Sequence, residues 1–493
     1  MSSREPVQLF DLHALELLEL PTLAERCARQ LEAGARLLCL LGRPDGDASW
    51  LVTAVLQAAD GDWSVLRARA GAGASYPALT PRHPQAQIFE RELWEQTGIT
   101  PLGHPWLKPV RFEGMRQQQM GDYPFFKVRG QEVHEVGVGP IHASVIEPGH
   151  FRFMCLGERV YHLEIQLGYQ HRGVEAMLLQ RPPLTLASTV ESICGDSCVA
   201  YTWAYCAAME ALGGIPVAAD TELVRAVALE LERIAMHLAA LGGLATDIAF
   251  LQGGASYGRL RTAIINASMR VCGSRFGRGW LRPGGVRFGL TDALRQDLGQ
   301  TLATFAKDMA EVNALMQGAR SVQARFQGVG KVSTQAAHEL GLVGLVARAS
   351  GVATDLRSSR PGALHQRRPL PMLTETSGDC WARMLLRMRE IDSAVSWLRD
   401  VLADGAIDLQ AHTAPIHAAL RPDALCVSLR EGVRGPVIHV VETTSHGALR
   451  HYKVQDPSLP NWFGLALAVR DNGISDFPLC NKSFDLSYCG NDL

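Results

Sequence analysis

The sequence lacks any run of the roughly 18 apolar residues that a membrane span needs. Its nearest approach, the alanine-rich stretch 199–219, is interrupted by Glu210 and by Gly213-Gly214. Charge of one sign is also missing. The formal net charge is −2, and 20% of residues are charged, so no nucleic acid or other polyanion is implied as a partner. There is no disulfide framework. Eleven cysteines are scattered and odd in number, which fits reduced thiols in a cytosolic protein. The opening Met1-Ser2-Ser3-Arg4-Glu5-Pro6 starts no signal peptide. Internal repeats and low-complexity segments are absent too. At 493 residues the chain can form two or more domains around a large core. The expectation is a chain soluble by itself that can still sit on a membrane through partner subunits.

The patterning divides the chain in three and predicts an α+β protein. Residues 1–112 read as a small α/β domain. Within it, 12–31 has helical periodicity, while 37–41 and 50–56 read as strands. The stretch 83–99 reads as a helix ended by Gly98. Residues 113–135, with Met115-Arg116-Gln117-Gln118-Gln119-Met120 and Gly121-Asp122-Tyr123-Pro124, read as a linker or extended arm. Residues 136–493 read as a mainly helical domain with a peripheral sheet. There, 160–168 looks strand-like, much of 171–420 is helical in pattern, and the end from Val437 returns to strands and loops.

Several motifs stand out. Glu90-Arg91-Glu92 is followed by Gly98-Ile99 and Gly103-His104-Pro105-Trp106-Leu107. Gly139-Pro140-Ile141-His142 and Glu147-Pro148-Gly149-His150 have the glycine and proline content of tight turns. His171-Arg172-Gly173-Val174-Glu175 spaces Arg172 and Glu175 three apart, which allows a pair on one helical face. Cys194 and Cys198 are four apart, as on one face of a helix, although free cysteines also serve as small core hydrophobes. Glu230, Glu232, Arg233, His237 and Asp247 place charges at helical spacing in an apolar pattern. Charges so placed read as a structural ion network.

On these residues the first part resembles the small hydrophilic 30 kDa-type subunit of respiratory complex I. The rest resembles the large subunit of the group 4 energy-converting [NiFe] hydrogenases and the 49 kDa-type quinone-site subunit of complex I. The resemblance implies a fusion of subunits that are separate chains in many relatives. It also implies where a metal would sit. In the hydrogenases two Cys-x-x-Cys pairs supply four soft sulfur ligands for nickel and iron. Here the matching positions are Cys194, Ser197, Ser487 and Gly490. One thiolate of four is left, so no metal is expected, unless Cys194, Cys198 and Cys489 form an altered site. Tyr201 stands where hydrogenases have a histidine, and Val433 replaces the proline beside Arg434, so that loop is expected to relax. The chain stops at Leu493 without the maturation extension of many nickel precursors.

The resemblance further implies roles. Glu147 matches a glutamate that passes protons near the metal, and His150 a histidine that contacts the quinone headgroup. Arg434 matches an arginine over the iron ligands. These three are the expected catalytic residues. His142, Tyr201 and Arg172 are expected to line the cofactor cavity. The tyrosine of the complex I quinone site is missing from 189–195. No cofactor is expected to be held firmly by the chain. A quinone is the acceptor to consider, with iron–sulfur clusters carried by partners. The expected partners are an iron–sulfur small subunit of complex I type, a ferredoxin-like subunit and membrane antiporter-like subunits. The expected place is the cytoplasmic side of the cell membrane, held there peripherally. The alternatives are an active group 4 hydrogenase and a purely structural subunit.

Overall fold

The computed structural model describes residues 5–114, 119–130, 132–143, 145–360, 368–411, 413 and 418–493. Part of the expected linker, residues 115–118 and 131, lies outside them.

The first unit is a four-stranded sheet ordered Leu17–Glu19, Trp63–Gly71, Ser49–Gln57, Arg36–Pro44. The long β-branched and leucine-rich strands pair antiparallel and carry the two expected strand segments. The helix expected over 12–31 begins only at Leu20, because Leu17–Glu19 joins the sheet edge and Pro21 sits in the first helical turn. The second helix, Gln87–Thr97, follows a short turn at Pro84–Ala86 and ends at Gly98. Gly98 adopts φ 76°, a left-handed cap that favours glycine.

That second helix is almost wholly buried although it reads as acidic, and its charges explain why. Glu90 accepts from the Leu79 and Thr80 amides at 2.8 and 2.9 Å. Glu95 accepts from Val110, Arg111 and Glu113 at 2.9–3.0 Å. Glu92 pairs with Arg111 and, at 2.6 Å, with Lys453 of the second unit. Each buried carboxylate thus has partners that offset its desolvation.

The second unit surrounds Cys198–Gly213, a helix buried on nearly every side. This explains the alanine-rich stretch: a helix apolar all round is a core helix when it is this short and interrupted. Ala219–Asp247 packs against it, Leu251–Cys272 and Cys380–Ala403 pack on Ala219–Asp247 in turn, and Asp292–Gly318 packs on both of these. Among the described residues no helix is long and apolar enough to cross a membrane. A three-stranded sheet, Val133–Val138, His150–Leu156 and Arg159–Gln166, lies on this bundle.

A further four-stranded sheet joins the two units. Its order is Val7–Asp11, Ala424–Glu431, Pro436–Thr443, Leu449–Gln455, all antiparallel. The first strand of the chain therefore pairs with a strand more than 400 positions later, Val7 opposite Ser428. The expectation of strands and loops from Val437 onward holds only to Gln455. Beyond it the chain is helical: Ser458–Ala468, Phe477–Phe484 and Tyr488–Asp492. These short helices are dictated by packing and caps, which periodicity over so few residues does not reveal.

Candidate functional site

Four segments far apart in sequence meet at one place. They are the loop 191–197, the turn Gly432–Gly435, the hairpin arms 139–143 and 145–149, and the terminal segment 485–493. Arg172 ties two of them together. Its guanidinium donates to the carbonyls of Ser192 and Ile193 at 2.6 and 2.9 Å and to that of Cys489 at 3.0 Å. It does not pair with Glu175. Gly173, at φ 67°, precedes the helix Val174–Leu179, so Arg172 lies outside it. Glu175 instead accepts from the Val454 amide and pairs with Lys453 at 3.1 Å.

Cys194 and Cys198 do not share a helix face either, because that helix starts at Cys198. Cys194 is buried in the loop before it, and its thiol donates to Asp196 Oδ1 at 3.1 Å. Its sulfur also lies 3.2 Å from Ser487 Oγ. Cys489 Sγ is 3.5 Å from that same oxygen. Cys198 turns away to the carbonyls of Glu191 and Gly195.

The other ligand positions are taken up by structure. Ser487 Oγ caps the terminal helix by accepting from the Gly490 amide at 2.9 Å. Ser197 Oγ accepts from Arg434 at 3.3 Å. At Gly490 a Cβ would fall 2.1 Å from Asp456 Oδ2. Asp456 is itself buried, accepts from Tyr201 Oη and caps Ser458 at 2.6 Å. Tyr201 thus reaches the site through Asp456. Burial raises the Tyr201 hydroxyl well above its ordinary range and Asp456 adds to it, so it stays protonated.

Arg434 is the hub. It grips Asp196 with two hydrogen bonds of 2.9 and 2.8 Å and donates to the Asp485 carbonyl. Burial pushes the Asp196 carboxyl up, but the Arg434 charge outweighs it and brings it down to about 2. The expected relaxation of the loop at Val433 is not seen. Gly432 and Gly435 bond each other in both directions at 2.8 and 3.3 Å, and Val433 is buried.

The hairpin brings Glu147 against Cys489 and near Tyr488. Gly149 presses bare backbone onto Tyr488, where a Cβ would lie 2.8 Å from its ring. His142 closes the hairpin with a 2.7 Å bond to the Gly149 carbonyl. His150 goes elsewhere. It opens the strand His150–Leu156, bonds the Gly139 carbonyl at 3.0 Å and packs on Phe125 at 5.3 Å. Glu147, Arg434, Tyr201 and the four ligand positions therefore converge, while His142, His150 and Arg172 shape the surround. Sequence reasoning passed over Asp196, Asp456 and Asp485 as site residues. Asp196 sits two residues from Cys194, and Asp485 two residues from Ser487, so proximity to the ligand positions was the signal.

Among the described residues no group of three or more His, Cys, Asp or Glu side chains is arranged to hold a metal ion. The donor set does not fit a nickel–iron centre. Two hydroxyls and a glycine stand at three of four thiolate positions, the glycine position is filled by Asp456, and hard oxygens serve these soft metals poorly.

Residues 247–416 match the family described as the respiratory-chain NADH dehydrogenase 49 kDa subunit, and 23–125 match its 30 kDa subunit. Formate hydrogenlyase subunit 5 of Escherichia coli (strain K12) is 28% identical over 459 residues, covering 87% of this chain and 79% of that one. A subunit of the NADH-quinone oxidoreductase of Campylobacter concisus (strain 13826) is 30% identical over 284 residues, covering 57% and 69%. In fold, a chain of the membrane-bound sulfane sulfur reductase, an archaeal respiratory membrane complex, superimposes with a TM-score of 0.69 at 21% identity, covering 74% of this chain and 99% of that one. The chain belongs to the family of the complex I 49 kDa subunit and the group 4 hydrogenase large subunits, with a 30 kDa-type domain fused ahead of it.

Proposed function

We propose that the chain is a large subunit without nickel in a complex I-like membrane-bound oxidoreductase. It lines a cavity where electrons from an iron–sulfur small subunit reach an acceptor, with a quinone as the first candidate, and it couples that transfer to ion translocation. A ferredoxin-like subunit would feed the electrons. Antiporter-like membrane subunits would hold the chain at the cytoplasmic face. The supporting observation is Asp456, whose carboxylate fills the space at Gly490 where a fourth thiolate would stand. A site rebuilt around a buried Tyr201–Asp456 pair and an Arg434–Asp196 pair keeps charge and proton donors but not soft ligands. Glu147, at the edge of this cluster, is the proton carrier of the reading. His150 and Arg434 are its positioning and electrostatic partners.

Two measurements test it. Elemental analysis of the intact complex should find far less than one nickel per chain; about one per chain overturns the reading. Glu147→Gln should lower electron transfer to a quinone analogue by roughly 10²-fold or more, the scale of a lost proton donor, with assembly intact. His150→Ala should cost less, since its ring is engaged with Gly139 and Phe125. Full turnover in both variants would favour a subunit that is structural only.

A further inference from the structure

All eleven cysteines are free, and Cys489 alone is not fully buried. Behind it lies Cys194, 1% exposed. Their sulfurs share the Ser487 hydroxyl, at 3.5 and 3.2 Å. Access makes the pair unequal. Cys489 is half-buried and Cys194 is sealed behind it. Glu147 lies beside the Cys489 sulfur. An accessible thiol, a buried thiol that shares its hydroxyl partner and a carboxylate that can take a proton form an arrangement suited to thiol–disulfide exchange.

We propose that Cys489 and Cys194 form a nucleophile–resolver dithiol whose substrate is a low-molecular-weight disulfide. Glu147 takes the Cys489 proton, and the thiolate attacks one substrate sulfur. A bond forms from Cys489 Sγ to that sulfur, the substrate S–S bond breaks, and the leaving thiolate takes the proton from Glu147. Cys194 Sγ then attacks Cys489 Sγ. The mixed disulfide breaks, the second thiolate leaves with the Cys194 proton, and a Cys194–Cys489 disulfide remains. One substrate disulfide has become two thiols. Two electrons from the iron–sulfur donor and two protons restore the dithiol. The proposal rests on the reading above only for the source of those electrons.

The test uses the intact complex and 2-hydroxyethyl disulfide as probe, with mass spectrometry of unreduced peptides. Wild type should accumulate a Cys194–Cys489 linked peptide and little adduct. Cys194→Ser should trap the mixed disulfide at Cys489, exceeding the wild-type adduct by roughly tenfold or more, because the resolving step is removed. Cys489→Ser should show adduct at neither position. An adduct at Cys194 in Cys489→Ser reverses the roles and overturns the proposal. A wild-type complex that forms no link also overturns it, whatever the variants do. The two readings separate cleanly. If no link forms while Glu147→Gln stops transfer to a quinone analogue, the dithiol falls and the acceptor cavity stands. If the link forms while Glu147→Gln and His150→Ala transfer fully, the reverse holds.

Discussion

Two pairs of cysteines meet in this molecule, and each draws one member from the last 14 residues. Cys489 faces Cys194 at the candidate site. Cys480, in the helix Phe477–Phe484, faces Cys380 at the start of Cys380–Ala403. The second pair is the more polarised. Burial pushes Cys380 up, but the hydrogen bond from Cys480 and the Arg383 guanidinium outweigh it and bring it down to about 6. Arg383 lies 3.4 Å from that sulfur. Yet both sulfurs are sealed. A Cβ on Gly330 would fall 2.7 Å from Cys480 Sγ and 3.2 Å from Cys380 Sγ, so only bare backbone fits over them. The first pair is less polarised but open at Cys489. The lesson is that ionisation and access are separate properties, and a reactive thiol needs both.

The largest way to break the comparison is to unfasten the segment both pairs share. Arg111 donates to the Asn491 carbonyl at 2.6 Å, and its partner Glu92 also pairs with Lys453. Lys453→Met leaves buried carboxylates short of a partner and should cost about 3–5 kcal/mol, read as a lower unfolding temperature of the complex. Burial raises the Glu92 carboxyl, but Lys453 and Arg111 outweigh it and hold it at about 2. Its ordinary value is about 4.3. A depressed acid stabilises the fold fully above its unfolded value and loses that contribution as pH falls through its folded value. The wild-type contribution should therefore persist down to about pH 4.3 and fade toward about pH 2, and Lys453→Met should flatten that window. Cys489 should become easier to label in the variant while Cys480 does not. Equal exposure of both would make the two pairs one unit.

Gly330→Ala attacks the sealed pair alone. The position has φ +64°, so a side chain is strained there, and its Cβ meets two sulfurs and Arg383. Strain plus overpacking should cost about 2–4 kcal/mol. Cys480 should then react with maleimide while the Cys489 rate is unchanged. An unaltered unfolding temperature would mean the seal is looser than its contacts imply.

In the native wild type, access should decide reactivity by itself. Iodoacetamide at neutral pH should modify Cys489 roughly tenfold or more faster than any other thiol, including the more ionised Cys380. Peptide mapping over a time course checks this, and faster labelling of Cys380 would show that ionisation decides.

The smallest expected effect is none at all. Cysteines placed together at 197, 487 and 490 should confer no hydrogen evolution. The side chain at 490 would collide with Asp456, and loss of Ser487 would uncap the terminal helix. Hydrogen production by that triple variant would mean the pocket re-forms around new ligands.

Much of this was legible in the chain. The α+β class, the strands at 36–44 and 49–57 and the helix closed by Gly98 follow from residue type and spacing, and the resemblance to the hydrogenases implies the loss of thiolate positions. What escaped reading were contacts between remote segments. Arg172 and Glu175 are spaced as a helical pair, but Gly173 breaks the helix between them. Val433 removes a proline, but the bonds between Gly432 and Gly435 restore the turn. Asp196, Asp456 and Asp485 carry no motif of their own, so their importance emerged only beside Arg434, Gly490 and Tyr201.

The sequence by itself determined which side chains were available: one thiol at four ligand positions, a glutamate in a proline-rich turn, and an arginine after a glycine–valine step. Those are properties of residue identity. Tertiary structure decided how they are used, because only packing brings positions 147, 194, 434, 456 and 489 together and buries them to different depths. Reactivity and charge state depend on that distance and depth, which no local pattern encodes.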